Sequence, residues 1–174
     1  LSHHVTEKLT KTGLKQSMEK QITRTERILL LQLFGQSYNV HYYSAEQPSE
    51  LKECAYEGCA YYYSEMPLIF RQSKINLCPT LRSIESGIPL RALDILGSKG
   101  VLLSNYQPEL SEYFTDGADI IMYDSLEDAY CKVEYYLSHE NERLKLIQNS
   151  YQIIKEKFNY PDRIHTLLQT AELL

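Results

Sequence analysis

The sequence predicts one α/β domain, with a parallel sheet covered by helices on both faces. Two patterns lead there. From residue 59 onward, short apolar runs alternate with segments of helical periodicity, and the connections between them are short. Parallel strands need crossover helices, and crossovers cover both faces of a sheet. The 174 residues are also a usual size for one domain with its own core. No repeat or low-complexity segment divides the chain. Residues 1–174 therefore read as one unit, with a helical lead-in over 1–35, an α/β core over 36–125 and closing helices over 126–174.

The elements follow in order. Leu14, Met18 and Ile22 fall four apart, and Ile28 to Phe34 adds a second apolar face, so the lead-in is helical up to Gly35. Asn39 to Tyr43 is β-branched and aromatic and reads as a strand. Ser44 to Glu53 reads as a polar loop or short helix, and Cys59-Ala60-Tyr61 as a short strand. Met66 to Ser73 is a helix that tolerates Pro67 in its first turn. Ile75 to Cys78 is a buried strand, Ile88 to Leu96 a helix, and Val101 to Ser104 a strand. Leu110 to Phe114 is a short helix and Asp119 to Tyr123 a strand. Leu126, Ala129, Tyr130, Val133 and Leu137 share one helix face, capped by Asp124 or Ser125 with Glu127 or Asp128 three residues on. Leu144, Ile147, Tyr151, Ile154 and Phe158 mark another helix, and a last one runs from about Asp162 to Leu173 behind Pro161.

Composition narrows the functional classes. The chain is 43% hydrophobic and 24% charged, with 18 Lys+Arg against 23 Asp+Glu, a net charge of −5. A mildly acidic chain does not suit a nucleic acid or an anionic membrane, and its one basic segment, Lys8 to Arg27, is interrupted by Glu19 and Glu26 and reads as a solvated helix face. No apolar run reaches the roughly 20 residues of a membrane span, and no secretory signal is visible. Cys54, Cys59, Cys78 and Cys131 form no CxxC pair and have no histidine at ligand spacing, so they read as reduced thiols of a cytoplasmic protein. The opening Leu1-Ser2 lacks a methionine, as expected of a piece of a longer protein.

In an open parallel sheet, ligands bind beyond the C-terminal ends of the strands. The loop after Cys78 carries the most chemistry. Ser86-Gly87-Ile88-Pro89-Leu90-Arg91 is a helix start, where Gly87 permits close approach and free amides backed by the helix dipole attract an anion. Arg82 and Arg91 flank it as phosphate partners, and the Asp94 carboxylate, one turn on, is placed to accept hydrogen bonds from a ribose diol. The same spacing also fits a plain surface ion pair between Arg91 and Asp94. Tyr62, Tyr63, Ser64 and Glu65 follow a strand end, where an aromatic ring would stack on a base or simply pack.

At these residues the chain resembles the C-terminal region of CgeB-like (spore maturation type) glycosyltransferases of the group 1 superfamily. The matching text is Tyr-Tyr-Ser-Glu-Met-Pro at 62–67, Ser-Lys-Ile-Asn-Leu at 73–77 and Leu-Arg-Ser-Ile-Glu-Ser-Gly-Ile-Pro-Leu-Arg at 81–91. Leu-Asp-Ile-Leu-Gly at 93–97, Asn-Tyr-Gln-Pro-Glu-Leu at 105–110 and Tyr-Tyr-Leu-Ser-His-Glu at 135–140 continue it. The resemblance implies a Rossmann-like three-layer α/β/α parallel sheet, the C-terminal half of a GT-B glycosyltransferase, whose N-terminal acceptor domain lies elsewhere in the parent. It implies a nucleotide-diphosphate sugar, UDP- or GDP-linked, as donor, and no metal or other cofactor. Donor-binding residues would be Tyr63, Glu65, Ser86, Gly87, Ile88, Pro89, Leu90, Arg91 and Asp94, with Glu85 and Arg82 as catalytic candidates. The superfamily places two glutamates at the positions of Ser86 and Asp94 here. Asp94 keeps the ribose carboxylate, whereas Ser86 departs from the pattern and leaves Glu85 as its substitute. A rival expectation is a non-catalytic interaction module derived from such an enzyme.

Overall fold

A computed structural model describes residues 11–81 and 87–171. The elements run α1 (Lys11–Gly35), β1 (His41–Tyr42), β2 (Ala55–Tyr56), α2 (Met66–Gln72), β3 (Asn76–Leu77), α3 (Leu90–Gly97) and β4 (Leu102–Asn105). They continue with α4 (Pro108–Tyr113), β5 (Ile121–Tyr123), α5 (Leu126–Ser138), α6 (Glu140–Lys157) and α7 (Tyr160–Thr170). β3, β4 and β5 pair in that order as a parallel sheet, with Leu77 opposite Leu103 and Leu103 opposite Ile121. β1 and β2 form a second parallel pair, His41 opposite Ala55.

The two-residue period of a strand divides the core into two layers. Val101 and Leu103, with Ile121 and Tyr123, point to one face and pack against Leu30 and Phe34 of α1 and Ala129, Val133 and Tyr136 of α5. Leu102, Ile120 and Met122 point to the other and meet Ala92, Ile95 and Leu96 of α3, Leu110 of α4 and Phe114 just after it. Both faces of β4 and β5 are therefore dry, and each such buried aliphatic side chain contributes about 1.5–3 kcal/mol. The result is the expected three-layer α/β/α arrangement with a helical lead-in.

Several boundaries differ from the expectation. The second strand is Ala55–Tyr56, not Cys59–Tyr61. Ala55 and Glu57 donate their amides to the Val40 and Tyr42 carbonyls, and at Gly58, with φ +74°, the chain turns away from the pair. Ser44 to Glu53 is loop throughout. α3 begins at Leu90 rather than Ile88, because Gly87 has φ +96° and Pro89 is extended at ψ 127°. α7 begins at Tyr160, so Pro161 lies inside its first turn and Asn159 caps it by accepting from the Asp162 amide. Leu14, Met18 and Ile22 do share a face of α1, but they are 51%, 58% and 49% exposed. Only the C-terminal part of α1, around Leu30 and Phe34, reaches the core. Met18, Ile22 and Leu29 instead line an open apolar groove with Leu126.

Candidate functional site

The parallel strands β3, β4 and β5 all end on one edge of the sheet, and the loops leaving that edge build the site. The loop after β3 is tied down from two sides. The Thr80 amide donates to Asn105 Oδ1 at the end of β4 (2.7 Å), and the Arg27 guanidinium of α1 donates to the Pro79 carbonyl. Ser104 Oγ donates to the Cys78 carbonyl at 3.1 Å. Burial pushes the Cys78 thiol up to about 11, so it stays a neutral packing group. The buried Thr80 hydroxyl and one carboxylate oxygen of Glu109, both on this edge, have no hydrogen-bond partner among the described residues.

Beyond the loop, the positive φ of Gly87 aims the chain into α3, and a Cβ there would meet open space. The first turn of α3 closes through the Ala92 amide to the Pro89 carbonyl at 2.9 Å. The amides of Leu90 and Arg91 come before any intrahelical acceptor, and the positive end of the helix dipole lies with them. Leu90 is exposed, while Ile88, Pro89 and Arg91 are half-buried.

The side chains of the next turn meet those of α2. The Arg91 guanidinium lies 5.6 Å from the Phe70 ring centre and 5.9 Å from that of Tyr62, and it donates to the Met66 sulfur. Its Nη1 is 3.7 Å from Asp94 Oδ2, so the surface ion pair allowed by the spacing is formed. Asp94 Oδ1 accepts a hydrogen bond from the Tyr62 hydroxyl at 2.9 Å. That bond, then desolvation and the carboxylate charge, raises the Tyr62 phenol above its ordinary value. Helix start, guanidinium and carboxylate thus lie in sequence along one helix. They suit a ligand that is anionic at one end and donates hydrogen bonds further along.

The other expected residues separate into three groups. Arg82, Glu85 and Ser86 lie outside the described residues. Tyr63 is 89% exposed and, among the described residues, meets the site through an edge-to-face contact with Tyr62, the ring centres 4.9 Å apart. Glu65 is turned to a local task, since its Oε2 accepts from the Tyr61 amide at 2.8 Å and closes the turn before α2. The direct partners of Asp94 and Arg91 are instead Tyr62, Met66 and Phe70. Tyr62 stood in the aromatic stretch expected to stack or pack, but its bond to Asp94 spans 32 residues and could not be read from spacing.

Several acidic groups and histidines elsewhere in the domain are engaged in structure. Asp116 accepts from the Met122 amide and pairs with Lys132 at 3.1 Å, and Asp119 accepts from the Thr115 amide. His41 sits 2.7 Å from Glu57, and the His139 ring stacks on Tyr135. The four cysteines are all unpaired. Among the described residues no helix is long and apolar enough to cross a membrane.

Comparison with known proteins agrees with this architecture. No curated protein matches the chain. Among solved structures, it is similar to the crystal structure of the C-terminal domain of a glycosyl transferase group 1 family protein (LpcC) from Francisella tularensis. The TM-score is 0.53 at 21% identity, over 63% of this chain and 56% of that one. The chain thus aligns with little more than half of that domain, and at this identity the likeness is one of fold, a Rossmann-like C-terminal glycosyltransferase domain. The family model described as glycosyl transferase-like matches residues 18–169, which take in the end of every β-strand and all of α3. The chain belongs to the glycosyl transferase-like family.

Proposed function

We propose that the chain is the donor-binding C-terminal domain, residues 1–174, of a CgeB-like, GT-B glycosyltransferase. The observation that carries the reading is the run along α3 of the first-turn amides of Leu90 and Arg91, the Arg91 guanidinium and the Asp94 carboxylate. A nucleoside-diphosphate sugar, UDP- or GDP-linked, would set its diphosphate against the helix start and its ribose diol against Asp94. The amides of Leu90 and Arg91, with Arg91 and Arg82, would stabilise charge developing on the leaving diphosphate. Those donors supply the stabilisation that a bound metal supplies elsewhere, so the transfer proceeds without one. Arg91 has donors to spare, since a guanidinium carries five N–H groups. The sugar end falls to Glu85, next to Ser86. The acceptor site belongs to an N-terminal domain of the parent, so the chain binds nucleotide without turning over. Its unpaired cysteines fit the reducing cytoplasm.

Calorimetric titration of the chain with UDP, GDP and their sugars tests this. Binding is expected in the micromolar to millimolar range, and Asp94→Ala should weaken it about tenfold, the loss of a hydrogen bond to a charged group. Affinity unchanged in Asp94→Ala would remove the ribose assignment. No nucleotide binding at millimolar concentration would leave the non-catalytic interaction module as the better account.

A further inference from the structure

Each oxygen of the carboxylate assigned to the ribose already has a partner within the chain. Asp94 Oδ1 accepts from the Tyr62 hydroxyl at 2.9 Å, and Oδ2 faces Arg91 at 3.7 Å. A vicinal diol is held best by a carboxylate that accepts from both hydroxyls, one on each oxygen. Tyr62 supplies to Oδ1 the same kind of donor, an O–H, that a ribose would bring.

We propose that Tyr62 is an exchangeable latch on Asp94, a phenol that stands in the place of a ribose hydroxyl and must leave before a nucleotide is held. This rests on the ribose assignment of Asp94. The surroundings of Tyr62 favour exchange over a fixed contact. Its side chain is half-exposed, so the ring has solvent to swing into. Its backbone is fixed independently, because the Glu65 carboxylate holds the Tyr61 amide and the Glu65 and Met66 amides both return to the Tyr61 carbonyl. Release therefore needs only side-chain rotation, with the turn left intact. The ring has two neighbours, the Tyr63 ring with its centre 4.9 Å away at right angles and the Arg91 guanidinium 5.9 Å from the ring centre. While the site is empty, the latch keeps the carboxylate satisfied and oriented.

A competing internal donor lowers apparent affinity by the fraction of molecules in which it is released. If the latch is closed in nine molecules of ten, the nucleotide binds about tenfold more weakly than the open site would allow. Tyr62→Phe removes the hydroxyl and keeps the ring. UDP and GDP should then bind roughly three- to tenfold more tightly. Inorganic pyrophosphate, which has no ribose, should bind the variant and the parent chain equally. The gain should vanish when Tyr62→Phe is combined with Asp94→Ala.

Isothermal calorimetry on the 174-residue chain and these three variants reads all of this, with thermal melts to confirm that each is folded. Unchanged or weaker UDP binding in Tyr62→Phe, while Asp94→Ala still weakens the parent chain, overturns the latch and leaves the ribose assignment standing. An equal gain for pyrophosphate also overturns it, since the effect would then come from the general charge of the site. If neither UDP nor GDP binds the parent chain or Tyr62→Phe, the ribose assignment falls and takes the latch with it.

Discussion

The Arg27 guanidinium donates to the Pro79 carbonyl through both Nε (3.2 Å) and Nη2 (2.8 Å), fastening α1 to the chain as it leaves β3. This contact joins the helical lead-in to the loop that runs toward Gly87 and the start of α3. Arg27→Ala removes two charge-assisted bonds, and at so exposed a position the cost is about 1 kcal/mol. Arg27→Lys keeps the charge but not the fork, and should recover only part of the loss. Nucleotide affinity should fall severalfold in Arg27→Ala, because the loop end opposite Asp94 is no longer held. Urea unfolding and calorimetry measure the two effects. Full stability and affinity in Arg27→Ala would show that the fork anchors nothing.

Gly100 sits where α2, α3 and β3 converge. A Cβ there would lie 2.8 Å from the Phe70 carbonyl oxygen, 2.8 Å from Asn76 Nδ2 and 3.1 Å from Ile95 Cγ2. The Asn76 amide is itself committed, donating to the Phe70 carbonyl at 2.9 Å and to the Val101 carbonyl at 3.2 Å. No flexible side-chain end is available to give way on the Phe70 side. Gly100→Ala should therefore cost about 1–3 kcal/mol, the usual range for overpacking. For a domain of this size that is a fall of roughly 2–4 °C in melting temperature for each kcal/mol. A melt unchanged within a degree would mean that α2 slides aside freely.

How much of this was legible in the sequence depends on how local each cause is. The start of α5 could be read residue by residue, since Ser125 accepts from the Asp128 amide and the Asp128 carboxylate reaches back to the Asp124 amide within one turn. The two faces of the sheet were also legible, because continuous apolar runs such as Val101 to Leu103 must be buried on both sides. β2 was not. Ala55 and Tyr56 are strand because β1 lies alongside, and a single aromatic beside an alanine is too short a run to mark them. The apolar spacing of Leu14, Met18 and Ile22 gave the helix correctly but not its burial, which depends on what packs there. In the site, Arg91 and Asp94 were legible as neighbours on one helix. Tyr62 was legible as one aromatic of the stretch after a strand end, but its bond to Asp94 arises only through the packing of α2 on α3, and the donor-binding role expected there fell on Tyr63 and Glu65.

The Cys78 thiol gives the fold a readable alkaline limit. Burial, against a smaller opposing pull from Arg27 and Arg91, lifts it from 9.0 to about 11. The unfolded chain thus loses this proton at lower pH than the folded one. Above the unfolded value the native state binds more protons, so stability falls as pH rises. The contribution is fully present below about pH 9 and is lost progressively from there through about pH 11. Two pH units correspond to at most about 2–3 kcal/mol. Buried Cys54 is raised in the same direction, as are the phenols of Tyr38, Tyr43, Tyr62 and Tyr136, so the total alkaline slope is shared. The Cys78 part is isolated by comparison with Cys78→Ala, which should be less stable at pH 7 through lost packing yet decline more gently between pH 9 and 11. At pH 8 the exposed thiols of Cys59 and Cys131 should react with an alkylating reagent well before Cys78. Parallel pH curves for the parent chain and Cys78→Ala, or Cys78 alkylated as fast as Cys59, would show that the thiol is not sealed beneath the loop.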